Sequence, residues 1–232
     1  MKIALLGYGR MGKAIEKIAV DRGHQIVLKV DIHTTNYALD NVDVAIDFSS
    51  PDAAFGHIHS CIENGVPVVS GTTGWLSKYD EIISYCHEKE GAFIYASNFS
   101  IGVNLFFNLN EYLAKMMRNI EGYGVSMEEI HHIHKLDAPS GTAISLAEQI
   151  LKNSSKEKWS LEDKSDASIF IQVKREDEVP GTHTVEYTSN VDSIEIKHTA
   201  FNRTGFALGA VTAAEWLSDK KGIYTMKDVL HL

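Results

Sequence analysis

The sequence predicts an α/β protein: a doubly wound parallel sheet, followed by a second α+β domain built on a mixed or antiparallel sheet. Three observations carry this prediction. Short apolar runs alternate with amphipathic segments over residues 1–98. A glycine-rich turn closes the first of those runs. After Asn98 the alternation gives way to long helical segments and three strand-like runs.

The elements follow in order. "KIALLGYG" reads as a buried strand ending in glycines, and "GKAIEKIAVDRG" as a helix closed by Gly23. "HQIVLKVD" and "VDVAIDFSS" are the second and third strands. "PDAAFGHIHSCIENG" is a helix with Pro51 at its start and Gly65 beyond its end. "VPVVSGTTG" is a fourth strand, "YDEIISYCHEKEG" a helix and "AFIYASNFS" a fifth strand. "GVNLFFNLNEYLAKMMRNI" and "AISLAEQILKN" are amphipathic helices. The polar "NSSKEKWSLEDKSD" is expected as an exposed loop, and "ASIFIQVKRE", "GTHTVEYTS" and "DSIEIKHTA" as strands with one covered face. "GFALGAVTAAEWLSDKKGIYTMKDVL" is a small-residue helix and a short tail returning to the first domain. Two domains fit best, 1–99 with 209–232 and 100–208.

A formal charge of −9 supplies no basic excess for nucleic acid or an anionic membrane. Cys61 and Cys86 have no metal-like spacing and read as structural thiols of a reducing compartment. The opening "MKIALLGYG" is too short and glycine-rich for a secretory core, and no apolar run could span a bilayer, so a soluble, cytoplasmic chain is expected.

"GYGRMG" places Gly7, Gly9 and Gly12 as G-x-G-x-x-G between the first strand and the first helix. Those glycines serve a tight turn, close backbone approach to a pyrophosphate and helix–strand packing, and the helix opening offers N–H groups to the phosphates. Asp31 ends the second strand, where a carboxylate accepts from ribose hydroxyls. This is a Rossmann-like pattern. Ile32, His33 and Thr34 follow Asp31 with no arginine for a 2′-phosphate, which favours NADH over NADPH, although Arg10 or Lys13 could serve one. "GTTG" (Gly71–Gly74) and "ASNFS" (Ala96–Ser100) lie where later strands end, the usual ligand crevice of such sheets.

"MEEIHHIHKLDAPSGTA" gathers His131, His132, His134 and Lys135 just before a helix. Three readings compete. A metal site could use His132 and His134, but no H-E-x-x-H spacing supports it and Lys135 would repel a cation. A solvated run without function is the second. The third is an anion-binding and proton-transfer site. Histidine exchanges a proton near neutral pH, lysine donates to carboxylates, and the Ser140–Gly141–Thr142 step opens a helix with free N–H groups.

"HHIHKLDAPSGTA" closely resembles the signature of the 4-hydroxy-tetrahydrodipicolinate (dihydrodipicolinate) reductase family of bacterial lysine and diaminopimelate synthesis. The resemblance extends through "GYGRMG", "DFSSP", "GTTG", "SNFSIGVN" and "GTHTV…IEIKHTAFNRTGFALGAV". It implies that His131 is the acid/base histidine and Lys135 the catalytic lysine. His132, Ser140, Gly141 and Thr142 fall at or beside the substrate-binding positions. The cofactor contacts would be Gly7, Tyr8, Gly9, Arg10, Met11, Gly12, Asp31, Gly71, Thr72, Thr73, Ala96, Ser97, Asn98 and Phe99. It further implies a nucleotide domain completed by the C-terminal helix, and a mixed-sheet domain that binds substrate and builds a homotetramer. Two departures stand out: the glycine loop is one residue shorter than the family's frequent G-x-x-G-R-M-G, and Asp177 stands where many relatives carry glycine.

The family reaction is the NADH- or NADPH-dependent reduction of a cyclic dicarboxylate imine with loss of water. Lys135, His132 and the Gly141/Thr142 backbone would hold the carboxylates, with His131 protonating the carbon left electron-rich by the hydride. Three alternatives stay open: another nicotinamide dehydrogenase of a small amino or keto acid, a non-catalytic dinucleotide sensor, and a metal-dependent hydrolase.

Overall fold

The computed structural model describes residues 1–202 and 204–232; Arg203, inside the late motif, lies outside them. Along the chain run β1 (Lys2–Leu6), α1 (Arg10–Asp21), β2 (Gln25–Val30), β3 (Val44–Asp47), α2 (Pro51–Glu63), β4 (Val68–Ser70), α3 (Tyr79–Glu88) and β5 (Ala92–Tyr95). Then come α4 (Ile101–Met117), β6 (Gly124–His131), α5 (Gly141–Lys152), β7 (Lys158–Ser160), β8 (Ser168–Arg175), β9 (Gly181–Thr188) and β10 (Ser193–Ala200). The chain closes with α6 (Thr204–Leu217), β11 (Gly222–Tyr224) and α7 (Met226–Leu230). These form two compact units, Met1–Ile101 with Thr204–Leu232, and Gly102–Arg203. The expected boundary at 209 falls inside α6, which begins at Thr204.

The first unit holds a parallel sheet in the order β11-β5-β4-β3-β1-β2. Its inner strands β1, β3, β4 and β5 are apolar at nearly every position because both faces are covered, whereas the edge strand β2 alternates. Ile3, Leu5 and Ile46 pack toward α1 and α6, and the alternate residues Ala4, Leu6 and Ala45 toward α2 and α3. The alanines of α6 let it lie close: a Cβ on Gly209 would stand 1.7 Å from the Phe99 carbonyl oxygen. The tail does return here, but as a sixth strand, β11, paired parallel to β5.

The second unit holds a mixed sheet in the order β10-β9-β6-β8-β7. β6 runs antiparallel to β9 and parallel to β8. One face packs Val125, Met127, Ile169, Ile171 and Val185 against Phe106 and Leu113 of α4 and Leu146 and Ile150 of α5. Two strands go beyond the sequence reading. β6, the middle strand, carries two glutamates and a histidine in its second half, which hides its apolar alternation. β7 lies inside the segment expected as a loop; three residues with only Trp159 apolar leave no period to read, and pairing to β8 supplies what propensity does not.

Candidate active site

In the first unit, the carboxyl ends of the strands border two cavities. One of about 700 Å³ is lined by Gly7, Tyr8, Asp31, Ser49, Ala53 and His57 among others. Another, of about 390 Å³, is lined by Gly9, Arg10, Met11, Gly71, Thr72 and Thr73 among others. The three fingerprint glycines differ in what they serve. Gly7 has φ +101° and a Cβ there would stand 2.2 Å from the Phe48 carbonyl oxygen; one on Gly12 would stand 2.3 Å from that of Gly7. The fold itself demands those two. A Cβ on Gly9 meets nothing within 4 Å, so its bareness serves only what approaches from outside, at the opening of α1. This open cradle fits a dinucleotide phosphate.

The Asp31 carboxylate accepts from the His33 N–H at 2.9 Å and the Thr34 hydroxyl at 3.0 Å, both on Oδ1. Those bonds hold it below the usual carboxylate range. Tyr8 donates its hydroxyl to Glu16, which also pairs with Lys29 at 2.6 Å. Ser97 is exposed, and Ala96 and Asn98 are half-buried.

Two of the expected contact residues have side chains engaged within the fold. The Thr72 hydroxyl is turned inward, donating to Asp47 at 2.8 Å and accepting from the Ser49 N–H. Phe99 is 1% exposed and its ring packs on Phe48, supporting the loop from beneath. Asp47 was not anticipated. Fully buried, it accepts from the hydroxyls of Ser49, Ser70 and Thr72 at 2.6–2.8 Å, tying the ends of β3 and β4 together.

In the second unit, a group of polar residues closes one end of the covered sheet face. β6 continues its buried alternation from Val125 and Met127 into Glu129 and His131. The register sets Glu129 beside His183 of β9 and His131 beside Arg175 of β8. Along each of these strands, the inward positions switch from apolar to charged or imidazole at the same end. That switch was legible in the sequence, but only once the three strands were aligned, so Glu129, Arg175 and His183 were missed.

Ser140 precedes α5 and accepts the Ala143 N–H on its hydroxyl at 3.2 Å, as a helix cap should. Its Oγ also lies 3.0 Å from His183 Nε2, and its N–H donates to Glu129 at 2.9 Å. Ser140 is thus buried and engaged within the fold, where it supports the opening of α5. The N–H groups of Gly141 and Thr142, in the first turn of α5, have no partner among the described residues. A Cβ on Gly141 would meet nothing within 4 Å, so here too the open side is not required by the fold.

Burial pushes the His131 imidazole down, Glu129 pulls it back, and Lys135 and Arg175 depress it further. Burial also pushes His183 down to about 4, which leaves it neutral and able to accept the Ser140 hydroxyl proton. Lys135 lies 2.7 Å from both Asp137 oxygens. Its loop is held by Arg175, which donates to the carbonyls of Lys135 and Asp137. At the far side of that clamp, Asp177 has φ +38°, the left-handed region where glycine is at ease, and its carbonyl accepts the Ile133 N–H. His134 is exposed against Glu178, while His132 is half-buried.

Glu129, His131 and His183 have ligand atoms within 4.8 Å of one another, as a metal site requires. The carboxylate is already occupied by Ser140 and lies 3.4 Å from the Arg175 guanidinium, whose charge opposes a cation there.

Two family models match the chain: "Dihydrodipicolinate reductase, N-terminus" over residues 1–99 and "Dihydrodipicolinate reductase, C-terminus" over 102–230. The chain is 59% identical to the 4-hydroxy-tetrahydrodipicolinate reductase of Christiangramia forsetii, covering 99% of this chain and 98% of that protein. It is 32% identical to the reductase of that name from Neisseria meningitidis, covering 100% and 98%. The fold resembles a dipicolinate-bound dihydrodipicolinate reductase from Paenisporosarcina sp. TG-14, at TM-score 0.80, 22% identity and 97% coverage of each chain. A probable dehydrogenase from Thermotoga maritima shares it more loosely, at TM-score 0.57 and 11% identity, covering 99% of this chain and 92% of the other. With both halves matched and a full-length relative at 59% identity, this chain belongs to the dihydrodipicolinate reductase family.

Proposed function

We propose that the chain reduces 4-hydroxy-tetrahydrodipicolinate to tetrahydrodipicolinate with loss of water, using NADH or NADPH, in diaminopimelate and lysine synthesis. One observation carries the assignment of residues: His131, Lys135 and the free N–H groups opening α5 all belong to the end of the covered sheet face and the loop that leaves it. The cofactor supplies the hydride when bound. The open cradle at Gly9 and the opening of α1 would hold its pyrophosphate, and Asp31 the adenosine ribose. The absence of an arginine at 32–34 supports NADH as the preferred donor.

The protein's own part is binding, orientation and proton handling. Lys135 and the Gly141 and Thr142 N–H groups bind carboxylates by charge and by the positive end of the α5 dipole. Half-buried His132 adds a donor beside them. His131, nearly enclosed, delivers a proton to the ring carbon adjacent to the reduced one. A dipicolinate-bound relative supports a small dicarboxylate as substrate.

Cytoplasmic location and a homotetramer complete the proposal. No helix among the described residues is long and apolar enough to cross a membrane. Self-association is supported by the family resemblance and by an exposed stripe of Leu105, Leu109, Tyr112 and Met116 on α4. The test is oxidation of NADH and NADPH, in parallel, with substrate generated in place from pyruvate and aspartate semialdehyde by the preceding synthase. Turnover to tetrahydrodipicolinate, faster with NADH, is expected; cofactor binding without turnover would contradict it.

A further inference from the structure

A carboxylate with no exposure is costly unless its oxygens are engaged. Glu129 is such a group. Its Oε2 accepts the Ser140 N–H at 2.9 Å; its Oε1 lies 3.4 Å from Arg175 Nη1 and 3.9 Å from His131 Nδ1. That imidazole nitrogen is itself buried and has no hydrogen-bond partner. On the other side, His183 Nε2 stands 3.8 Å from the carboxylate and 3.0 Å from the Ser140 hydroxyl.

We propose that Glu129 is a positioning residue for the reduction, its carboxylate joining the His131 imidazole to the opening turn of α5. The proposal rests on the reading of His131 as proton donor and of Gly141 and Thr142 as carboxylate holders. Through the Ser140 N–H, Glu129 fixes where those two residues present their N–H groups. Through its charge, it acts on the proton that His131 carries. The groups facing His131 are Glu129 on its own strand, Arg175 of β8, His183 of β9, and Lys135 and Asp137 of the following loop. Burial, Lys135 and Arg175 disfavour the protonated ring, and Glu129 is the main group that opposes them. The sign follows. Removing the negative charge lowers the ring's proton affinity, so the acid form is lost at a lower pH.

The test measures kcat and substrate KM across pH for wild type, His131→Gln, Glu129→Gln, Glu129→Asp and Arg175→Gln, with NADH affinity and circular dichroism alongside. Glu129→Gln keeps the acceptor and the shape but not the charge. It is expected to move the alkaline limb of kcat down by about one pH unit, a tenfold change in proton affinity. It should also raise substrate KM and leave NADH affinity unchanged. Glu129→Asp should recover most of the shift, and Arg175→Gln, which removes an opposing cation, should move the limb upward. A residue that only fills the core would lower stability and leave the limb in place. That result, or a downward shift in Arg175→Gln, overturns the proposal. If Glu129→Gln does not fold, Arg175→Gln must still move the limb upward while Glu129→Asp, which keeps the charge, leaves it near the wild-type position. Full activity in His131→Gln would overturn the underlying reading; its collapse beside an unmoved limb in Glu129→Gln overturns the proposal alone.

Discussion

A Cβ on Gly12 would stand 2.3 Å from a backbone oxygen, whereas one on Gly9 would meet nothing within 4 Å. Two residues of one motif therefore make opposite predictions. Gly12→Ala should cost about 1–3 kcal/mol of stability through overpacking. Gly9→Ala should leave the urea midpoint nearly unchanged and weaken NADH binding about tenfold or more, worth about 1.4 kcal/mol. Equal effects of both on stability would show that the fold, not a ligand, requires Gly9. Lys135 gives a second prediction. In the free protein its ammonium is held by Asp137, an exposed carboxylate standing where a substrate carboxylate would compete for it. Such a partly exposed pair is worth about 0–1 kcal/mol, so Asp137→Asn should lower substrate KM by up to about fivefold. A raised KM would mean that Asp137 orients the lysine instead. His131 and Lys135 could be singled out in the sequence because their motif is long and local. Ser140 was half legible: the cap could be read, but its burial against His183 and Glu129 depends on strands 11 and 43 residues away.

At the level of elements, β1 to β5 and their helices could be read because each strand is a continuous apolar run between turn residues. β11 could not, since Gly222–Tyr224 becomes a strand only where β5 offers an edge. β6 failed for a different reason: its inward positions turn polar just where the site begins. That buried polar end carries a stability signature. His183 is pushed from 6.5 to about 4, chiefly by burial. Its folded form resists the proton that the unfolded chain accepts, so stability is complete above pH 6.5 and declines as pH falls toward 4. At about 1.4 kcal/mol per pH unit, the decline from this residue amounts to about 3 kcal/mol. Urea denaturation at pH 7 and pH 4.5 should therefore show a larger acid loss in wild type than in His183→Gln. Equal losses would place the acid sensitivity elsewhere.

For the whole molecule, the proposed reaction draws on residues of both units. The first presents the open glycine cradle and Asp31; the second presents His131, Lys135 and the opening of α5. The division itself shows in the sequence, where strand–helix alternation stops after Asn98. The place of α6 in the first unit came from the family resemblance, because a helix of small residues reads the same whichever sheet it covers. The measurement that bears most directly on the account is nicotinamide oxidation by wild type, His131→Gln and Lys135→Ala, with NADH binding measured on the same samples. Loss of an acid/base group typically costs about 10²–10⁴-fold in rate, and His131→Gln should fall in that range with NADH binding intact. Lys135→Ala should lose its activity mainly through substrate KM, again with NADH bound normally. Wild-type turnover in a folded, NADH-binding His131→Gln protein would contradict the account, because the proton would then come from a group other than the one enclosed at the end of β6.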